Sequence, residues 1–243
     1  MKKAIGYVYV IAAAVCWGFL GLFNRVLTAA GVSLLNMMPL RFGGTAILFT
    51  VFCMMFKQQV FHIKLRHLPI FLGSGLISML LVLCGCALVS GIVGSDVGIS
   101  LEGLLMGLAS ELCYGGYTIF THYGMRYCDS FTMAYWTFLI AGIASLFLAD
   151  GPALLSALAE PRTGLAALGL MVMGTALPFT LYTKGLEPVE SGKAAIIANI
   201  EPVMSAVIGV TVFQETLGLW TLVGIVLVLS GVVVLACEKE PDK

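Results

Sequence analysis

Eight long, uninterrupted apolar runs, at residues 5–23, 34–56, 68–93, 101–123, 131–149, 164–182, 194–213 and 219–237, constrain this 243-residue chain more than any other feature. Each approaches the ~20 residues that an α-helix needs to cross the hydrocarbon core of a bilayer. In lipid, backbone N–H and C=O groups must find partners within the protein, so only helices and closed barrels span. A barrel would show alternating segments of about 10 residues, and runs this long and continuous predict helices instead. Composition agrees: 60% of residues are hydrophobic, 11% are charged, and the mean hydropathy is +1.02, against ~45–50% apolar and ~25% charged in soluble domains. The expected fold is an all-α integral membrane protein, a polytopic bundle of about eight transmembrane helices.

An even number of crossings places both ends on one side. With the ends cytoplasmic, Lys2, Lys3, Lys57, Lys64, Arg66, Arg126, Lys184, Lys193, Lys239 and Lys243 all fall inside. Arg25 and Arg162 are left outside, with Arg41 just within the second helix, and this asymmetry follows the positive-inside rule. The expectation is a multi-pass protein of the cell membrane with both termini cytoplasmic. The first apolar run exceeds the ~7–15 residues of a signal-peptide core, so it is expected to remain as an uncleaved helix.

Several classes of chemistry have no footprint. The seven cysteines lie mostly within apolar runs, without a CxxC pair or metal-ligand spacing, and are expected as free thiols. Net charge is zero with no charge block, which gives nucleic acid nothing to bind. No HExxH, phosphate-binding glycine loop or nucleophile elbow occurs, so no catalytic residue, metal, cofactor or enzyme activity is expected. The aspartate in "GSDVG" (94–98) reads as part of an outer turn, and residues 154–164 as an amphipathic turn at the outer interface.

The chain also repeats itself. "CWGFLGLF" from Cys16 aligns with "CYGGYTIF" from Cys113, an offset of 97 residues, which makes Trp17 equivalent to Tyr114. "RFGGTA" from Arg41 and "IFLGSG" from Ile70 continue the match at nearly the same offset; "LVLCGCALVSG" from Leu81 then pairs with "LVLSGVVVLAC" from Leu227 at an offset of 146. The first half is therefore shorter by about 50 residues after Ser78, roughly two crossings at ~25 residues each. This divides the chain into residues 1–93, about three helices, and residues 94–243, five helices and a tail. Five crossings is an odd number, so the second half starts from the opposite side, as in the inverted repeats common among secondary transporters.

"AAAVCWGF", "LRFGGTAI" and above all "IANIEPVMSAVIGVTVFQETLGLWTLVGIVLVLSGVVVL" resemble the drug/metabolite transporter superfamily in its EamA-like branch. The resemblance implies ten helices in two inverted five-helix repeats that move small organic solutes, often outward. This chain departs from it by its shortened first repeat. Half-size members of the superfamily distribute their helices over two chains, which implies a possible homodimer. The sequence therefore supports two readings: a gradient-driven transporter of an amino acid, metabolite or drug-like compound, or a non-transporting remnant or interaction subunit that needs a partner chain.

The candidate site residues are polar or aromatic groups inside apolar runs. Glu201 lies about 10 Å from the cytoplasmic end of its helix, where a carboxylate costs on the order of 2.5–3.5 kcal/mol on insertion scales. Pro202 beside it frees the Ala198 carbonyl and kinks the helix, and Asn199 stands at the same place. Glu201 reads either as a proton-coupling or amine-binding group or as an interhelical anchor. Glu111 is the second intramembrane acid, and Gly115, Thr118 and His122 follow it at helical spacing as one polar or small face flanked by Tyr114 and Tyr117. Glu111, Tyr114 and Thr118 are solute-contact candidates, whereas Tyr117 and His122 read rather as interfacial anchors. Trp17, Gly21 and Asn24 form the matching stripe on the first helix; Gly18 and Gly21 read as packing contacts and Arg41 as a snorkelling cation.

Overall fold

The computed structural model describes residues 2–61, 63–89 and 101–237; some helical side chains, that of Glu111 among them, lie outside this description, as do residues 90–100 with the 94–98 turn. Every regular element among the described residues is helical. Helix α1 comprises Lys2–Gly18 and, after a break at Phe19, Leu20–Ala29; α2 runs through Leu34–Met38, Pro39–Gly43 and Gly44–Phe56. Next come α3 (Leu68–Val89), α4 (Leu101–Gly124), α5 (Ser130–Ser145) and the short α6 (Gly151–Leu158). Helix α7 joins Pro161–Met171, Val172–Ala176 and Leu177–Gly185; α8 joins Ser191–Ala198 and Ile200–Phe213; α9 is Leu219–Cys237.

Apart from α6, each rod falls on one of the apolar runs. Lys3–Ala29, Leu35–Phe56, Pro161–Gly185 and Ser191–Phe213 are long and apolar enough to cross a membrane, and Leu68–Ser78, Ser130–Ser145 and Thr221–Val234 are shorter apolar helices. Two local expectations are corrected. The first run continues to Ala29, which puts Arg25 on the helix instead of in a connection. The expected turn at 154–164 is instead the end of helix α6 and the start of α7, and α6 is capped at its start by the Asp150 carboxylate accepting from the Ala153 N–H at 3.3 Å. The single apolar run across Ser78 is one helix, α3.

Helix α1 packs along α7 over most of its length and crosses α8; α5 packs on α2, α3 and α7, and α4 lies along α3. Apolar attraction does not drive helices together in lipid, so close approach depends on small residues. A Cβ at Gly18 would sit 2.5 Å from the Met204 Cβ on α8, and one at Gly185 would sit 2.6 Å from Val10 on α1. Gly18 is thus a packing glycine as expected. Gly21 meets only ordinary contact, 3.6 Å to the Ser205 hydroxyl.

Two stretches of π-helix lie side by side, Pro39–Gly43 in α2 and Val172–Ala176 in α7. The Thr175 hydroxyl donates to the Leu170 carbonyl at 2.9 Å, and Thr45 on α2 donates to the Met171 carbonyl at 3.1 Å. Pro178 lacks an N–H and leaves the Gly174 carbonyl without its usual donor, which loosens α7 at this turn. Such bulges recur at functional sites because they re-aim side chains.

Candidate functional site

The site forms where α1, α4 and α7 meet. Trp17 is buried on α1, with its ring edge-on to Phe179 at 5.0 Å, tilted on Tyr182 at 5.3 Å and edge-on to Tyr114 at 6.3 Å. Phe179 and Tyr182 come from the last segment of α7, just past its π turn. These distances lie within the 4.5–7 Å range of favourable aromatic pairs. Trp17 and Tyr114, equivalent by the repeat, are thus neighbours across the bundle.

The polar atoms in this cluster are unevenly satisfied. The Thr118 hydroxyl donates to the Tyr114 carbonyl at 2.9 Å and shares a 3.1 Å hydrogen bond with the Tyr182 hydroxyl. The Tyr114 hydroxyl faces that of Tyr182, whereas the Trp17 Nε1 is buried without a hydrogen-bond partner among the described residues. A buried donor left unmade costs about 1–3 kcal/mol. Glu201, half-buried on α8, is within electrostatic reach of the Tyr114 hydroxyl.

The kink beside Glu201 has a clear local cause. α8 breaks at Asn199, where ψ is −1° and the N–H reaches back three residues to Ile196 at 3.2 Å. This is the turn at which Pro202 withdraws the donor for the Ala198 carbonyl. The Asn199 side chain faces outward and donates to the Ala195 carbonyl at 3.3 Å. Asn24 is half-buried, two turns along α1 from Trp17, with its backbone carbonyl accepting from Thr28. Glu111 belongs to α4, its side chain outside the described residues.

Two side chains differ from expectation. Tyr117 is 1% exposed and packs edge-on to Phe179 at 5.5 Å, so it is a core residue and not an interfacial anchor. The inward face of α4 therefore runs Tyr114, Tyr117, Thr118 and Thr121, while a Cβ at Gly115 would meet open space. The His122 side chain is half-buried, with its Nδ1 lacking a hydrogen-bond partner among the described residues. Arg41 turns inward instead of snorkelling. Its Nε donates to the Thr175 hydroxyl at 3.2 Å, and the guanidinium lies 6.0 Å from the Phe179 ring. The π turns on α2 and α7 bring this cation against the aromatic cluster.

Phe179 and Tyr182 were not singled out from the sequence. Their signal is Thr175, Phe179 and Tyr182 spaced by four and three, one helical face within a run apolar on every side.

Residues 101–237, more than half of the chain, match the EamA-like transporter family. With a helical membrane bundle of this kind, the chain belongs to that family. It is 26% identical to the uncharacterized transporter YwfM of Bacillus subtilis over 174 residues, 70% of this chain and 57% of that protein. It is also 26% identical to the uncharacterized inner membrane transporter YicL of Salmonella typhimurium, over 60% of this chain and 48% of that one. A third similar protein, an uncharacterized transporter of Archaeoglobus fulgidus, is 41% identical over 68 residues, 28% of this chain and 25% of its own. The match thus spans between a quarter and somewhat over half of the length of these relatives.

Proposed function

We propose that this chain is a secondary transporter that carries a small organic solute, such as an amino acid, a metabolite or a drug-like compound, across the cytoplasmic membrane by alternating access. Outward movement is the physiological direction, both termini are cytoplasmic, and the driving force is a gradient. The rocking bodies are two inverted repeats, residues 1–93 and 94–243. Solute sits among Trp17, Tyr114, Thr118 and Tyr182, with Glu201 and Glu111 as the proton-coupling or amine-binding groups and Asn24 on the path to it.

One observation carries this reading. Five aromatic or hydroxyl side chains from three helices converge while leaving the Trp17 Nε1 unpartnered among the described residues. Apolar walls with a few convergent polar groups are the usual make-up of a small-molecule site, and a carboxylate kept within a membrane helix is a functional candidate in its own right. The test is metabolite profiling of medium and cytoplasm in cells expressing the parent chain or Glu201→Gln. One compound class redistributing with the parent and not with the variant supports transport and a mechanistic Glu201. An unchanged profile, with both proteins in the membrane, rejects transport by this chain.

A second reading, an interaction subunit completed by another copy or a partner chain, is favoured by α9. Leu219 and Val234 there are 72% and 71% exposed, and Gly224 has nothing within 4 Å of where a Cβ would stand. A chain that runs as a dimer in mild detergent, and whose flux is lost when the dimer is separated, fits this reading.

A further inference from the structure

A hollow lies away from the aromatic cluster, at the end of the bundle where α2 and α4 finish and α3 and α5 begin. It measures about 1180 Å³ and is lined by the 55–60 turn, Ile63, Lys64, His67, Phe71 and the 126–129 turn with Thr132. Its walls are held in place. The Trp136 indole donates to the Val60 carbonyl at 3.0 Å, Phe71 is 2% exposed, and the His67 and Tyr127 rings stack at 4.4 Å.

The lining carries three fixed cations, Lys57, Lys64 and Arg126, against a single carboxylate, Asp129. That carboxylate is engaged: it accepts from the Thr132 hydroxyl and lies 3.9 Å from the Lys57 ammonium. Burial first, and then the neighbouring Asp129 charge, push the Cys128 thiol up to about 11, so at neutral pH it adds no second negative charge. Lys64 and Arg126 therefore give the hollow a positive surplus, while Met55, Phe56, Ile63 and Phe71 give it an apolar side. From its edge an exposed apolar strip, Met54, Val51 and Ile47, climbs α2 at spacings of three and four.

A charge asymmetry that only sets topology needs basic residues on one side of the membrane. It does not need them around a walled hollow that opens onto an acyl-sized strip. We propose that this hollow binds the headgroup of an anionic phospholipid, with the phosphate between Lys64 and Arg126 and an acyl chain along Ile47, Val51 and Met54. Basic pockets between membrane helices are general sites for such headgroups, each cation contributing modestly. Headgroup binding here ties the α2–α3 connection to the α4–α5 connection and is independent of whether the bundle moves a solute.

Native mass spectrometry of the purified chain, titrated in detergent with phosphatidylglycerol or phosphatidylcholine, tests this. Phosphatidylglycerol is retained in preference, and Lys64→Gln with Arg126→Gln weakens its retention about thirtyfold. Lys64→Arg with Arg126→Lys keeps the preference, which separates charge from folding. Should the double glutamine variant not fold, Lys64→Gln alone, on an exposed turn, weakens retention about fivefold. Equal retention of the two lipids, or an unchanged preference in the glutamine variants, overturns the proposal. Displacement of the lipid by 10 mM inorganic phosphate would also overturn it, since the site would then take soluble phosphate in place of a headgroup.

Discussion

Helices α1 and α9 are both apolar, and they end in opposite surroundings. α9 has no charged residue between Leu219 and Cys237, whereas α1 carries Lys2, Lys3 and Arg25. Yet α1 buries Val10, Ala13, Ala14 and Trp17, while α9 leaves Leu219, Val226, Leu227 and Val234 exposed. In a soluble protein the more apolar helix would go inside. Here lipid satisfies apolar surface as well as protein does, so hydropathy decides entry into the membrane and not the place within the bundle. That place follows from contacts lipid cannot supply: glycines that admit a neighbouring backbone, as at Gly18 against Met204, and hydroxyls that need partners, as at Thr118 against Tyr182.

Substitutions on the two helices break or sharpen this contrast. The largest effect falls on Trp17, whose ring touches three others. Trp17→Ala removes about 3–5 kcal/mol of stability, measured by unfolding in mixed micelles, while Leu222→Ala on α9 costs well under 1 kcal/mol. Gly18→Leu comes next, at about 1–3 kcal/mol, because the new side chain must displace Met204 and the backbone behind it. If Gly18→Leu melts with the parent, the α1–α8 contact is not the clamp described. Thr118→Val removes the hydroxyl shared with Tyr182 and costs about 0.6–1 kcal/mol, the scale of membrane hydrogen bonds; a double-mutant cycle with Tyr182→Phe should recover most of that as coupling. The smallest effect belongs to Gly224→Leu, where open space receives the side chain. It leaves the melting temperature of the isolated chain unchanged and lowers it only if another chain packs on α9.

The same physics explains what the sequence made legible. Run length sets the spans, so the apolar stretches could be read directly, as could the break at Asn199, where Pro202 lacks the donor its position demands. The face each helix turns inward was harder to read. Tyr117 looks interfacial in sequence and is core; the face of α4 rotates toward Tyr114 and Thr121 and away from Gly115. Arg41 has the position of a snorkelling cation, and only the paired π turns of α2 and α7 aim it at Thr175. Neither the turns nor their pairing follows from hydropathy, since the α7 turn goes with Pro178 and the Thr175 hydroxyl on its own helix, and the pairing with the Thr45 hydroxyl on the facing one. Phe179 and Tyr182 are hidden for the same reason, being aromatics in a run apolar all round.

The central claim, that solute passes through the Trp17–Tyr114–Tyr182 cluster of this chain alone, is tested most directly by reconstitution. Proteoliposomes holding the purified parent, Tyr114→Phe or Glu201→Gln are given a pH gradient and a uniformly ¹³C-labelled cell extract, and the retained compounds are identified by mass spectrometry. The account predicts one compound class accumulating with the parent and severalfold less with either variant. Accumulation by the variants equal to the parent, or none by a folded parent, contradicts it.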